Sequence, residues 1–226
     1  VNFQEKMNLA IIPARGGSKR IFRKNIRDFC GRPMIGYALE AAKKSGVFQK
    51  VMVTTDDQEI FDISQNLGAQ VLPLRPKGLS DDYTPLVPVI QHAISSLEET
   101  GDYYNNVCCI YPCVPLLAAE DLSNSLKLMT DLGSESCIPV CEFISAPQRA
   151  FRINDEAKIS WVNPKHRLTR TQDLEKLFYD AGAFAWATAD KWMQGDLADG
   201  VAYIMTSDRV IDIDTSEDWD RAEVLY

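Results

Sequence analysis

The sequence lacks the closely spaced cysteines and histidines of a zinc site. It contains only two histidines, His92 and His166, and none of its six cysteines falls into a C-x-x-C pair. Structural zinc sites need closely spaced cysteines and histidines, so this pattern argues against one. Cys108 and Cys109 are adjacent in an apolar run, and the other four are scattered. We therefore expect buried free thiols in a reducing cytoplasm, and no disulfide framework.

Long apolar runs are missing as well, since none approaches the ~20 residues that a membrane-spanning helix needs. We expect no secretory signal before Met7, and we interpret residues 1–6 as a leader or a cloning remnant without function. The chain has 24 basic and 32 acidic residues, and its net charge of −8 argues against a general nucleic-acid binder. These absences predict a cytoplasmic protein with neither a membrane nor a nucleic-acid partner.

One basic segment differs from this acidic background. The apolar residues 9–12 predict a buried strand, and Pro13 then opens a loop with two glycines and several cations. Glycine lets backbone N–H groups approach a ligand, and successive N–H groups form a concavity that favours anions. Flexible cations around it suit a triphosphate. The alternative is a solvated basic loop after a core strand. The cations are Arg15, Lys19, Arg20, Arg23 and Lys24.

The spacing of this loop matches neither of the standard phosphate-binding loops. It lacks both G-x-x-x-x-G-K-[ST] and G-x-G-x-x-G. The absence of the second pattern excludes a Rossmann dehydrogenase.

Strand and helix patterns alternate along the chain, which predicts a mostly parallel sheet with crossover helices. The length fits one α/β domain, residues 7–226. We expect Thr84 to cap a helix that Pro85 opens, and we interpret Glu120 and Asp121 as structural acids in a first helical turn. Helices are predicted over 33–45, 60–67, 84–97 and from about 120, and strands over 9–12, 50–55, 70–74 and 107–111, the last of them central.

Two acids near the C-terminus suggest a metal site. Asp212 and Asp214 alternate with Ile211 and Ile213, so a strand would place both carboxylates on one face. Two aligned acids are costly unless a cation lies between them, which predicts Mg²⁺. The alternative is that Asp214 or Thr215 only caps the last helix.

Residues 12–19, Ile-Pro-Ala-Arg-Gly-Gly-Ser-Lys, followed by Arg-Lys-Asn at 23–25, resemble the N-terminal motif of the CMP-sialic acid synthetases. These cytidylyltransferases activate nine-carbon acidic sugars with CTP, and the resemblance runs from residue 10 to the C-terminus. It implies a Rossmann-like nucleotidyltransferase fold and a homodimer. Residues 145–180, where the alternation lapses, would be an inserted dimerisation arm that also covers the neighbouring sugar site.

The resemblance also assigns roles to residues. It implies that CTP is bound by Ala14, Arg15, Gly16, Gly17, Ser18, Lys19, Asn25, Arg75 and Asp82. Catalysis is expected from Arg15, Lys24, Asp212 and Asp214, with the last two as ligands of Mg²⁺ in a closing Asp-Ile-Asp motif. Neither histidine is expected to act as a general base. Residues 111–116 resemble the family's Gln-Pro-Thr-Ser-Pro-Leu turn, but Tyr111, Cys113 and Val114 replace its polar residues.

The sugar is indicated by three segments, 147–150, 169–174 and 180–186, which look most like the branch that acts on pseudaminic acid and makes its CMP-sugar for surface glycans or flagellin. Arg149 or Arg170 is expected to bind the sugar carboxylate, because a planar guanidinium can contact both oxygens. For either arginine the alternative is an interface or surface role. One competing function is the same reaction on N-acetylneuraminic or legionaminic acid. Another is nucleotide binding without catalysis. The predicted sugar-binding residues are Gln148, Arg149, Arg170, Gln172, Asp180 and Gly182.

Overall fold

The structure, a computed structural model, describes residues 7–81 and 83–226. This part of the chain has six α-helices, α1 (Ile35–Ser45), α2 (Gln58–Asn66), α3 (Leu86–Glu98), α4 (Ala119–Asp131), α5 (Ala189–Gln194) and α6 (Ser216–Leu225). Its strands are β1 (Asn8–Ala14), β2 (Asp28–Phe29), β3 (Arg32–Pro33), β4 (Lys50–Thr55), β5 (Gln70–Val71), β6 (Asn106–Ile110), β7 (Ser136–Glu142), β8 (Phe151–Ile153), β9 (Ile159–Trp161), β10 (Phe178–Asp180), β11 (Phe184–Thr188) and β12 (Val201–Ile204). Among these helices none has both the length and the apolar character to cross a membrane.

The main sheet is built around β1, which lies between β4 and β6 and runs parallel to both. β5 extends the sheet in parallel beyond β4. On the other side β11 runs antiparallel between β6 and β7, and β10 pairs with β7 farther along the same edge. β12 lies parallel to β7 on its outer edge. The predicted α/β fold with parallel strands and crossover helices is confirmed, and the sheet is mixed because β10 and β11 run antiparallel to their neighbours.

The strand β1 serves two cores. Ala10 and Ile12 pack with α1, α2 and α4 on one face, whereas Leu9 and Ile11 pack with α3 and α5 on the other. All four side chains are fully buried, as expected for a central strand that helices cover on both faces. The backbone at the carboxyl end of β1, where the basic loop begins, is therefore rigidly supported.

A third, smaller apolar cluster joins the two ends of the chain. Ile21 of the basic loop and Ile213 both lie in it, together with Trp219 of α6. Because Ile213 stands between Asp212 and Asp214, burying it beside Ile21 brings the two acids next to the cationic loop. The helix α6 is itself capped by Thr215, whose side chain accepts from the Asp218 N–H.

Most of the predicted elements are present, with three differences. The strand predicted over 70–74 is shorter, because only Gln70–Val71 pairs with β4. Thr84 does not cap α3, since its hydroxyl donates to Asp81 Oδ1 at 2.8 Å and Pro85 occupies the N-cap position. Residues 210–214 do not form the strand expected for the two acids. The strand predicted at 107–111 is confirmed as central; it spans Asn106–Ile110, which is completely buried, and ends before the half-buried Tyr111.

Residues 145–180, the predicted arm, lie mostly outside the cores, although Tyr179 packs against the larger one. All of them are described, and none is buried. The hairpin of β8 and β9 forms a separate two-stranded sheet, and short 3-10 turns follow it. The last three residues return to the main sheet as β10, so the protruding part ends before Phe178.

Candidate active site

A cleft of about 410 Å³ opens at the carboxyl ends of the parallel strands, where open α/β sheets bind ligands. Its volume lies within the ~300–1,000 Å³ that is usual for small-molecule sites. The loop after β1 and the segment before α6 both line it, so the basic and acidic ends of the chain share one cavity. Of the predicted site residues, Arg15, Ser18, Lys19, Lys24, Asn25, Arg75, Gly182, Asp212 and Asp214 line the cleft.

The glycine loop is held mainly by the protein itself. The Gly16 N–H donates to Asp56 Oδ1 at 3.0 Å, and the Ser18 N–H donates to the Gly16 carbonyl at 3.0 Å. These two amides are therefore not available to an anion in this conformation, contrary to the simple concavity expected from the sequence. A Cβ at Gly16 would lie 2.5 Å from Asp57 Oδ2, whereas one at Gly17 meets no described atom within 4 Å. Gly16 is needed for packing against Asp57.

The side chain of Asn25 holds the backbone of the basic loop by a hydrogen bond. Its Nδ2 donates to the Arg15 carbonyl at 2.9 Å, and its Oδ1 accepts from Cys113 Sγ at 3.2 Å. The Asn25 side chain is buried. Burial raises the pKa of the Cys113 thiol to about 12, so the thiol stays protonated and can donate. The turn after β6 thereby fixes the backbone of Arg15.

The two acids lie on irregular backbone. After β12 the chain leaves the sheet through a 3-10 turn at Ser207–Arg209, so residues 210–214 have no neighbouring strand in the described part of the chain. The predicted alternation nevertheless persists, because Ile213 is buried while Asp212 is exposed and both acids line the cleft. The pKa of Asp212 is raised, first because its carboxyl loses part of its solvation at the cleft wall and then because of the charge of Asp214.

Cations approach the acids directly. Arg20 Nη2 lies 2.8 Å from Asp214 Oδ1, and Lys24 Nζ lies 3.4 Å from the same oxygen. Lys24 also donates to the Ile213 carbonyl at 2.6 Å. Arg23, by contrast, turns away and pairs with Asp57 at 2.6 Å, so this cation stabilises the loop. Asp57 also caps α2 by accepting from the Ile60 N–H.

The donor set of the acid pair suits Mg²⁺. This ion is usually held by one or two carboxylates together with substrate phosphates. Asp212 and Asp214 provide two hard oxygen donors in the same cleft as the cationic loop. No group of three or more histidine, cysteine or acidic side chains forms a metal cage among residues 7–81 and 83–226. The acid pair therefore fits an ion that needs ligands from the substrate as well.

Arg75 is a buried cation at the wall of the cleft. It is 7% exposed, and burial lowers the pKa of its guanidinium. Its ion pair with Asp56 is long, at 3.6 Å, and its Nε has no hydrogen-bond partner among the described residues. A buried charge with so little compensation is costly. An anionic or carbonyl group of a ligand would complete its hydrogen bonds.

Four of the predicted sugar-binding residues are not at this cleft: Gln148, Arg149, Arg170 and Gln172. They belong to the arm, where Arg149 donates to Thr171 Oγ1 at 3.4 Å and Arg170 pairs with Asp173 at 2.7 Å. Gln148 donates to the Glu175 carbonyl at 2.7 Å. Within one chain these side chains stabilise the arm.

The remaining predicted residues lie around the rim or outside the described chain. Asp180 does not line the cleft, but its Oδ1 accepts from the Gly182 N–H at 2.8 Å and so shapes the turn that does. Gly182 has a φ of +60°, a left-handed conformation that favours glycine. Ala14 is buried at the end of β1, and Asp82 lies outside the described residues.

Sequence reasoning missed several residues of the cleft wall. Ser80, Asp81 and Thr84 line it, and so does Tyr111, for which the sequence supported no ligand contact. The hydroxyl and the N–H of Thr84, together with the Tyr83 N–H, donate to Asp81 and lower the pKa of its carboxyl. The available signal was the position of the polar segment that follows β5, whose described residues 77–81, 83 and 84 lie at the same sheet edge as the basic loop.

Comparison with known proteins identifies the family. The sequence model of a family described as Cytidylyltransferase matches residues 9–185. A Campylobacter jejuni protein named pseudaminic acid cytidylyltransferase is 40% identical over 222 residues, 97% of this chain and 96% of that protein. N-acylneuraminate cytidylyltransferase of Escherichia coli is 29% identical over 219 residues, 95% of this chain but 51% of that protein. The solved structure of CMP:2-keto-3-deoxy-manno-octonic acid synthetase complexed with CTP shares the fold at a TM-score of 0.72 and 16% identity, over 97% of this chain and 98% of that one. The chain therefore belongs to the cytidylyltransferase family.

Proposed function

We propose that this cytidylyltransferase transfers CMP from CTP to the anomeric hydroxyl of pseudaminic acid and releases pyrophosphate. The observation that carries the proposal is the shared cleft, in which Lys24 of the basic loop lies 3.4 Å from Asp214 of the acid pair. The choice of sugar is supported by 40% identity to the pseudaminic acid enzyme over nearly the whole chain, against 29% to the N-acylneuraminate enzyme.

The reaction is an in-line phosphoryl transfer. The anomeric oxygen of the sugar forms a bond to the α-phosphorus of CTP while the bond from that phosphorus to the bridging oxygen of pyrophosphate breaks. The hydroxyl proton passes to solvent. Such transfer needs little covalent participation from the protein, so positioning and charge stabilisation dominate.

The cationic loop serves the phosphates. Arg15, Ser18, Lys19 and Lys24 line the cleft and would contact the triphosphate, while buried Arg75 would take the nucleotide group nearest its uncompensated Nε. Charge that develops on the leaving pyrophosphate is then offset in the transition state. Lys24→Ala should therefore cost about 2–4 kcal/mol of transition-state stabilisation. An unchanged kcat/KM in this variant would remove Lys24 from the mechanism.

Asp212 and Asp214 would hold the catalytic Mg²⁺. When bound, this ion neutralises charge on the α-phosphate and the pyrophosphate and lowers the pKa of a coordinated hydroxyl. The two carboxylates lie in the same cleft as the phosphate-binding cations, so nucleotide and acids meet at one place. Asp212→Asn should abolish turnover at ordinary Mg²⁺ concentrations while the fold is kept.

We further propose a homodimer in the cytoplasm, joined through residues 145–180. Large apolar side chains of this arm are exposed, among them Ile153, Ile159 and Leu168. Exposed apolar surface of this kind marks interaction sites. Arg149 and Arg170 lie away from the cleft of their own chain, which suits a role at the sugar site of a partner.

The decisive experiment is a pyrophosphate-release assay with CTP and three acceptors: pseudaminic, N-acetylneuraminic and legionaminic acid. We expect turnover that requires Mg²⁺, with at least about a tenfold preference in kcat/KM for pseudaminic acid. A preference for another of the three would keep the reaction and correct the sugar. Magnesium-independent CTP binding without any turnover would instead support a non-catalytic nucleotide-binding module.

A further inference from the structure

Arg20 makes a contact that none of the predicted roles explains. It lines the cleft, and its Nη2 lies 2.8 Å from Asp214 Oδ1. Its side chain is 68% exposed, whereas that of Asp214 is 33% exposed. Arg20 thus reaches across the mouth of the cleft and occupies one of the two carboxylates that suit a metal ion.

Two cations already offset part of the negative charge at the acid pair, to which Asp218 adds a third carboxylate nearby. Arg20 and Lys24 bring two positive charges to the negative charges of Asp212 and Asp214. A divalent cation that entered alone would add positive charge beside both side chains, which Coulomb repulsion opposes. A nucleoside triphosphate brings more negative charge than the ion brings positive charge. The cleft can therefore bind the ion and the triphosphate together, although it disfavours the binding of the ion alone.

We propose that Arg20 is a substrate-binding residue that exchanges partners. It pairs with Asp214 while the cleft is empty, and it shifts to the triphosphate when nucleotide and Mg²⁺ enter together, which leaves Asp214 to the metal. This inference rests on the proposed function. Its consequence is that the pair of Arg20 and Asp214 opposes the binding of free metal ions and couples metal binding to nucleotide binding.

Arg20 is better suited to this exchange than its neighbour Lys24. An exposed ion pair contributes little free energy, so the contact of Arg20 with Asp214 is easily broken. Its planar guanidinium can contact two phosphate oxygens at once. Lys24 is held more firmly, since its side chain is 22% exposed and donates to the Ile213 carbonyl at 2.6 Å. Removal of Arg20 should therefore change the coupling without removing the anchored cation.

The test measures metal binding directly, with Mn²⁺ as the probe and free Mn²⁺ read by electron paramagnetic resonance. Titrations of the full chain are made with and without CTP, in the absence of sugar. For Arg20→Ala we expect the affinity for Mn²⁺ alone to rise roughly two- to fivefold, the size of one exposed ion pair. The affinity for CTP should fall, so the coupling factor between Mn²⁺ and CTP becomes smaller.

Two further variants keep the result interpretable. Arg20→Lys retains the charge and should keep most of the coupling. Arg27→Ala is the matched control, because Arg27 belongs to the same N-terminal region and stacks on Trp219 at 4.7 Å, but it does not line the cleft. Thermal melts of all three variants separate these effects from loss of fold.

The proposal is overturned if Arg20→Ala binds Mn²⁺ alone no more tightly than the wild type, or if Arg27→Ala shows the same change. A purely structural Arg20 would lower the melting temperature and leave the coupling factor unchanged. Failure of the proposed function looks different: the wild type would turn over none of the three sugars, while the Mn²⁺ titrations would still report on Arg20.

Discussion

At the scale of single residues, Gly16 shows how a motif glycine can be required by packing. A Cβ at this position would lie 2.5 Å from Asp57 Oδ2, and Asp57 both caps α2 and pairs with Arg23. We expect Gly16→Ala to destabilise the protein by about 1–3 kcal/mol, because the capping aspartate must shift. Gly17→Ala is the matched variant and should change stability by less than about 0.5 kcal/mol. Urea unfolding measures both, and equal losses would refute the clash.

The chemical composition of the site could be predicted from the sequence, but the pairing of its side chains could not. The cations of the loop and the acids 212 and 214 are local features, and the structure brings both acids and all of these cations except Arg23 to one cleft. The contact of Arg20 with Asp214 spans most of the chain and depends on the burial of Ile21 with Ile213. No periodicity of either segment contains that information.

At the scale of elements, the start of α4 anchors the segment that carries the two acids. Asp121 is 2% exposed and accepts hydrogen bonds from Arg209, the Tyr203 hydroxyl and the Ala118 N–H. Arg209 lies three residues before Asp212, on backbone that no neighbouring strand supports in the described chain. The ion pair therefore limits how far the acids can move.

Arg209→Gln tests this anchor. We expect a loss of about 1–2 kcal/mol of stability, less than the ~3–5 kcal/mol of a fully buried pair, because the Arg209 side chain is 40% exposed. The Mg²⁺ concentration for half-maximal activity should rise while the KM for CTP changes little. Arg209→Lys restores the charge and should recover part of the Mg²⁺ response. An unaltered Mg²⁺ dependence in the glutamine variant would show that the segment is held by other contacts.

Ion pairs of Glu40 on helix α1 stabilise the fold to an extent that depends on pH. Hydrogen bonds from Lys44 and then Arg32 lower the pKa of Glu40 from 4.5 to about 2. A carboxyl whose pKa is lower in the folded state contributes its full stabilisation above pH 4.5 and loses it as the pH falls from 4.5 to 2. Because solvent screens this one-third exposed side chain, the charged carboxyl adds only about 1 kcal/mol to the free energy of unfolding.

Glu40→Gln should therefore lower the free energy of unfolding by about 1 kcal/mol at neutral pH, and the difference from the wild type should shrink toward acid. Urea unfolding at several pH values between 3 and 7 measures it. A difference that stays constant across this range would mean that charge plays no part in the contact.

Helices and strands with clear periodicity were predictable at this scale, as α1 and β4 show. The error at residues 210–214 has a physical cause. Alternation of apolar and acidic residues is typical of a strand, but the same alternation arises when one isoleucine is buried in a side cluster. Whether a strand forms depends on a hydrogen-bonding neighbour, which a local pattern does not specify.

At the scale of the whole molecule, one chain brings to its cleft the residues that we propose for the nucleotide but not the arginines predicted for the sugar. The basic loop, Arg75 and the acid pair come from a single chain, whereas Arg149 and Arg170 remain in the arm. The arm has no buried residue and exposes apolar side chains. A second copy of the chain would both cover this surface and bring its arginines to the neighbouring cleft, which is the reason for proposing a dimer.

Ile153 offers a test of that arrangement, because it is 72% exposed on the arm hairpin. In a symmetric dimer each substitution acts twice. If each buried isoleucine contributes about 2 kcal/mol, Ile153→Asp should weaken dimerisation roughly a thousandfold.

Val224→Asp is the matched control, since Val224 is 87% exposed on α6, outside the arm. Sedimentation equilibrium should give dimers for the wild type and the control, and monomers for Ile153→Asp. The KM for the sugar should rise in the monomer while the KM for CTP stays nearly constant, because the cations that we propose for the phosphates line the cleft of a single chain. A wild type that is monomeric and fully active would exclude any sugar contact across subunits.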